Sequence, residues 1–325
     1  MNFALIGLGR VGRVHAANIA SHPQANLHTI ADPRAPQLEE LARRYGTSLT
    51  TESEAVFADP DVDAVVISSP TTTHIDYLQA AAQSGKAALC EKPMGIDIDR
   101  VEQCLRLLAD HPIPVMIGFH RRHDPSYVAL RDAVRSGAVG RLEQVMVHVR
   151  DPAPPTLEYV RVSGGVFRDS VIHYFDLLSW LTGEDPVSVS AFGSCLIDPG
   201  IGLEGDYDTT LVNLRLPSGA LCHIASSRRS VEGADARIEV FGSEGVLRVA
   251  NAPINLLEPP VAGIRYTGFP TRFEEAFRNE LNSFIEAMST GSPPVPGPED
   301  GRRSLIIADA ATSSALNGNA VDIRY

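Results

Sequence analysis

An aspartate and a histidine four residues apart, Asp169 and His173, sit in the run Gly164-Gly-Val-Phe-Arg-Asp-Ser-Val-Ile-His-Tyr-Phe-Asp176. On a helix that spacing stacks the two side chains on one face, with Asp169 capping or opening the helix. Asp176 and Trp180 continue that face, while Val171, Ile172, Phe175 and Leu178 supply an apolar back to rest on a core. A carboxylate beside an imidazole orients the ring and raises its proton affinity toward that of a useful general base. A capping aspartate paired with a surface histidine fits the spacing equally well.

A second chemical signal is Cys90-Glu-Lys-Pro93 at the end of a strand-like run. Only Lys86 and Lys92 are lysines in a chain whose other basic residues are all arginine. A compact ammonium is suited to holding a substrate hydroxyl and the negative charge that develops on its oxygen. A surface lysine beside a turn is the plainer alternative.

Gly7-Leu-Gly9-Arg-Val-Gly12 follows the first strand-like run and opens the first helical one. That context is what a dinucleotide fingerprint needs: a tight turn, a close backbone approach to pyrophosphate, and an anion at the helix N-terminus beside Arg10 and Val11. Asp32 ends the second strand 20 residues after Gly12, where a carboxylate can hydrogen-bond ribose hydroxyls. It repels a 2′-phosphate, so NAD is expected over NADP, and Arg34 is placed to soften that preference by contacting a phosphate. Ser69, Pro70 and His74, with Glu91 and Lys92, end later strands at the carboxyl edge where ligands of open α/β sheets bind; Thr71–Thr73 fit helix capping as well as ligand contact.

The elements that must carry these residues alternate up to residue 120. Strand-like runs Phe3–Ile6, Leu27–Ala31, Ala64–Ser68, Ala87–Cys90 and Val115–Phe119 enclose helical Val11–Ser21, Gln37–Tyr45, Thr72–Ser84 and Asp99–Ala109. This grammar predicts α/β architecture, a doubly wound parallel Rossmann sheet over 1–120. Over 121–325 the strands Arg141–Arg150, Val187–Gly193, Thr209–Leu216, Ala220–Ser227, Arg237–Phe241 and Val246–Val249 predominate. Turns at Pro217–Gly219 and Gly242–Gly245 make their neighbours antiparallel, so an α+β domain with a large open, mostly antiparallel sheet is expected. Helices are expected at Ser126–Ser136, Ser170–Leu181, Arg272–Ser289 and Glu299–Ala315, the third with a stripe of Phe273, Phe277, Leu281, Phe284 and Met288.

Composition excludes several roles. With 44% hydrophobic and 21% charged residues, the 325-residue chain has the make-up of a globular protein of about two domains. A net charge of −12 repels a phosphate backbone, so no nucleic-acid partner is expected. No apolar run reaches the length of a membrane helix, and no signal-peptide pattern opens the chain, so a cytoplasmic location is expected. Cys90, Cys104, Cys195 and Cys222 show neither CxxC nor zinc spacing. His120 and His123 lack a third ligand nearby in sequence, so no metal is expected; His120, Arg122, Asp151 and Ser170 remain polar candidates for substrate contact.

In their order Gly7–Gly12, Asp32, Glu91-Lys92-Pro93 and Gly164-Gly165 with Asp169 and His173 make the chain resemble the glucose–fructose oxidoreductase / inositol dehydrogenase (Gfo/Idh/MocA) family. Arg150-Asp-Pro152, Ser163–Asp169 and Ser226-Ser-Arg-Arg229 are most similar to its inositol dehydrogenases. The resemblance implies that Lys92 binds the reacting oxygen, Asp169 tunes His173, and His173 exchanges the alcohol proton, without a metal. It implies a cyclitol or sugar substrate, myo-inositol first, and a homotetramer formed through the C-terminal sheet. A pyranose or anhydrosugar substrate, or a non-catalytic NAD-binding regulator, are the alternatives. The chain departs from the family at Gly118-Phe-His-Arg-Arg-His-Asp-Pro125, at Ser170 where threonine is usual, and at Val231-Glu-Gly-Ala234 in place of a tyrosine-bearing segment.

Overall fold

The computed structural model describes residues 1–34, 38–231, 233–251 and 268–325. The chain forms two compact units, one of residues 1–120 with 275–302, the other of 121–274 with 303–325.

In the first unit, β1 (Asn2–Ile6), β2 (Asn26–Ala31), β3 (Ser48–Thr50), β4 (Ala64–Ile67), β5 (Ala87–Glu91) and β6 (Val115–Gly118) form one parallel sheet. Its order, β3-β2-β1-β4-β5-β6, places the reversal of winding between β1 and β4, where open α/β sheets bind ligands. The central strands read Phe-Ala-Leu-Ile and Ala-Val-Val-Ile with every residue buried, as strands covered on both faces must be. The helix Glu274–Thr290 belongs to this unit although its sequence lies far downstream. Its Leu281, Phe284 and Ile285 join the core of Phe3, Leu5, Leu27 and Met116. A helix with so wide an apolar stripe has to bury it, and Phe284 meets Phe3 edge-on at 6.3 Å.

In the second unit, β7 (Leu142–Arg150), β8 (Ser188–Ser194), β9 (Thr209–Arg215), β10 (Leu221–Ser227), β11 (Asp235–Gly242), β12 (Gly245–Val249) and β13 (Val321–Asp322) order as β12-β11-β7-β10-β9-β8-β13. All pairs are antiparallel except β7 with β10. One face alternates into a core of Val145, Val147, Val212, Leu214 and Ile224. The other exposes Phe192, Leu211, Leu221 and Phe241. The expected helical start at Gln37 lies outside the described residues. Among the described residues no helix is long and apolar enough to cross a membrane.

Candidate active site

The glycine loop is built for close approach. Gly7 has φ +90°, and a Cβ there would lie 2.7 Å from the backbone of Ser69. A Cβ on Gly12 would fall 2.1 Å from the Gly7 carbonyl oxygen, whereas one on Gly9 would meet nothing within 4 Å. Two glycines thus serve packing and the third keeps a space open. The following helix, Arg10–Ser21, has no side-chain cap and no acidic residue in its first turn. Its N-terminal amides therefore suit an anion, and the loop fits a dinucleotide pyrophosphate.

Asp32 is 2% exposed. Its Oδ2 accepts the Leu8 amide at 2.8 Å, tying the second strand to the glycine loop. Arg34, expected to reach for a phosphate, instead donates Nε to Oδ1 at 3.0 Å and Nη2 to Oδ2 at 2.9 Å. Burial raises the pKa of Asp32, but the hydrogen bonds from Arg34 and Leu8 outweigh it and bring it down to about 2.

Two of the expected cofactor contacts are directed inward. His74 is 1% exposed; its Nδ1 lies 2.8 Å from the Pro93 carbonyl and its Nε2 2.9 Å from that of Ser69. The ring thereby fastens the ends of β4 and β5 and has no nitrogen left for a ligand. Burial lowers its pKa, and the two carbonyl contacts oppose that shift. Glu91 also points into the unit, its Oε1 2.8 Å from His15 Nε2 and its Oε2 accepting the Lys92 amide at 3.2 Å. Ser69 Oγ is hydrogen-bonded to Thr73 Oγ1 at 2.7 Å, so the threonine run closes a 3-10 turn. Lys92 is half-buried.

Most of the segment 120–124 is buried. His120 stacks on Phe277 at 4.1 Å between ring centres. Arg121 lies over the Tyr174 ring at 4.1 Å. Arg122 donates Nε to Asp176 Oδ2 at 2.8 Å in a bidentate pair, with the two side chains 7% and 1% exposed. Asp124 caps the helix Pro125–Arg135 and pairs with Arg272. Burial, then the charge of Arg122, lowers His123 to about 4, leaving a neutral ring. His120 and His123 thus both sit in packed surroundings. Among the described residues, the His and carboxylate groups that do converge are His15, Glu91 and Glu280.

The Asp–His helix is entered through a left-handed glycine pair. Gly164 and Gly165 have φ of +81° and +88°, a backbone region costly for any side chain. Asp206 receives the Val166 amide at 2.8 Å and is itself held by the buried Arg228, whose Nη2 donates at 3.0 Å. Arg228 is 2% exposed and supports the turn. Residues Phe167–Val171 form a π-helical turn, and the α-helix proper is Ile172–Thr182. Asp169 is therefore not its cap. Its amide bonds the Gly165 carbonyl, and its Oδ1 accepts the Tyr159 hydroxyl at 2.8 Å, a partner the sequence had not singled out. π-turns often occur at functional sites because they redirect side chains within a helix. His173 is 6% exposed and Ser170 half-buried. Asp151 is half-buried, with its amide on the Ser227 carbonyl at the end of β10.

The fold, the glycine loop and the switch point define an NAD-binding oxidoreductase. Residues 1–119 match the oxidoreductase-family NAD-binding Rossmann model, and 127–248 match the GFO/IDH/MocA C-terminal domain model. The chain belongs to the GFO/IDH/MocA family. It is 40% identical to an inositol 2-dehydrogenase of Rhizobium meliloti, the alignment covering 99% of each. It superposes with a TM-score of 0.94 on a myo-inositol dehydrogenase from Corynebacterium glutamicum, 37% identical over 100% of this chain and 99% of that one. A scyllo-inositol dehydrogenase from Lactobacillus casei, solved with NAD(H) and scyllo-inositol, matches at 0.91 with 28% identity over 99% and 98%.

Proposed function

We propose that the protein oxidises a secondary ring hydroxyl of a cyclitol, with myo-inositol at C2 as substrate, and uses NAD. The supporting observation is the Tyr159–Asp169 hydrogen bond in a π-turn one step ahead of His173, in a chain whose full-length relatives are inositol dehydrogenases. His173 takes the hydroxyl proton as general base. Asp169, fixed by Tyr159, orients the imidazole and stabilises its protonated form. Lys92 holds the reacting oxygen and its developing charge. His120, Asp151 and Ser170 are assigned to substrate contact, and Arg122 supports the site through its hold on Asp176 and the helix of His173.

Gly7, Gly9, Arg10, Val11 and Gly12 hold the NAD pyrophosphate, Asp32 the adenosine ribose, and Ser69 and Pro70 border the nicotinamide end. The cofactor, when bound, supplies the hydride acceptor. The Asp32 carboxylate disfavours NADP. A pyranose or anhydrosugar is the second reading, favoured by the His120–His123 segment and by Val231, which stands exposed in the segment where the family resemblance implies a tyrosine; Glu232 of that segment lies outside the described residues. The exposed Phe192, Leu211, Leu221 and Phe241 support pairing of the sheet into a homotetramer in the cytoplasm. Reduced-nicotinamide formation over a panel of cyclitols and sugars, with NAD and NADP in parallel, tests the reading. Turnover of myo-inositol with NAD is expected; turnover of a pyranose alone moves the substrate to the second reading, and silence with NAD bound rejects both.

A further inference from the structure

Three ionisable side chains of the first unit converge away from solvent. His15 lies on the helix that leaves the glycine loop and is 1% exposed; Glu91 ends β5 at 6%; Glu280, from the helix Glu274–Thr290, is at 0%. One donor atom of each lies within 4.8 Å of the others. Glu91 is fully occupied, with one oxygen on His15 Nε2 and the other on the Lys92 amide. Neither oxygen of Glu280 has a hydrogen-bond partner.

Two ionised carboxylates this close, without water, repel strongly, and an ionised carboxylate without donors is not sustained in such a place. The groups facing Glu280 are His15 from the first helix and Glu91 from β5, with Phe277 against the edge of the His15 ring and stacked on His120. Neutrality therefore calls for a proton or a divalent cation. A cation bound to His15 Nε2 would move the imidazole hydrogen to Nδ1, which meets no acceptor, whereas ligating histidines normally donate that hydrogen. Nε2 already lies 2.8 Å from a Glu91 oxygen, and an ionised carboxylate can only accept the hydrogen there.

We propose that Glu280 is a positioning residue: it carries a proton and stays neutral, leaving Glu91 as the single anion that pins both the glycine-loop helix, through His15, and the backbone of Lys92. Burial, and then the charge of Glu91, push Glu280 well above the ordinary glutamate range. The stability that depends on the Glu280 proton is thus complete below the unfolded glutamate value and declines as pH rises toward the folded one.

Infrared spectroscopy of the full chain, with Glu280→Gln and Glu280→Leu alongside, tests this; only its kinetic arm rests on the role proposed for Lys92. At neutral pH the wild type shows the carbonyl stretch of a buried carboxylic acid, and the Gln variant loses it. The Gln variant melts above the wild type, by a margin that widens toward alkaline pH. The Leu variant binds NAD about tenfold more weakly, because an apolar side chain replaces the polar group facing the Glu91 anion, and Gln restores the affinity. In turnover assays the Gln variant keeps its rate further into alkaline pH. Absence of the acid band overturns the proposal, as does a Gln variant less stable than wild type at alkaline pH. So does one divalent metal ion per chain that a chelator removes with loss of stability.

Discussion

Arg34 closes both arms of its guanidinium on the Asp32 carboxylate, at 3.0 and 2.9 Å, so the residue placed to welcome a phosphate is tied to the residue that repels one. On the proposed reading, the pair leaves cofactor choice to one side chain. Asp32→Ser releases Arg34 and removes the negative charge. It is expected to raise kcat/KM for NADP at least about tenfold and to lower that for NAD by a similar factor, as a lost hydrogen bond to a charged group implies. Steady-state kinetics with both cofactors check this.

The same carboxylate carries a pH signature. Its folded pKa of about 2 lies below the unfolded value, so the stability it contributes is present above about pH 4. That stability is lost as pH falls toward 2. Melting curves of wild type and Asp32→Asn are expected to differ near pH 6 and to converge as pH approaches 2.

His173→Ala and Lys92→Ala are each expected to lower kcat by about 10²–10⁴-fold while NAD still binds, the range for loss of a positioned acid–base or charge-stabilising group. Tyr159→Phe is expected to cost less, about tenfold, because Asp169 keeps its charge but loses one orienting bond. Rates paired with NAD titration separate these outcomes from misfolding.

The buried Arg122–Asp176 pair predicts a stability effect. Asp176→Ala leaves a guanidinium charge facing its vacated place and is expected to cost about 3–5 kcal/mol in urea unfolding. Phe192, Leu211 and Leu221 predict an assembly effect: Leu211→Glu with Leu221→Glu puts charge on the exposed sheet face and is expected to convert a tetramer to smaller species in light scattering.

The parallel sheet was legible because its strands are unbroken apolar runs between amphipathic helices. Ser48–Thr50 and Glu54–Ala58 escaped because three- and five-residue elements carry too little periodicity. The glycine loop, Asp32 and the Asp169–His173 spacing could be read directly from residue type and interval. The inward turn of Glu91 and His74 could not, since a polar residue at a strand end looks the same whether it meets a ligand or a carbonyl. The π-turn depends on Asp206 and Arg228, distant residues that hold the glycine pair in place. Glu280 did leave a trace. It falls three residues after Phe277 and four before Phe284, on the buried stripe of its helix, where a charge has no bland explanation.

The central claim is hydride removal from a cyclitol ring carbon with the proton taken by His173. Turnover of myo-inositol deuterated at C2, with NAD and purified protein, tests it most directly. Deuterium is expected in the reduced nicotinamide, with a slowed rate relative to unlabelled substrate and a turnover lowered about 10²–10⁴-fold in His173→Ala. Reduced cofactor without deuterium, or no reduction by a protein that binds NAD, would contradict it.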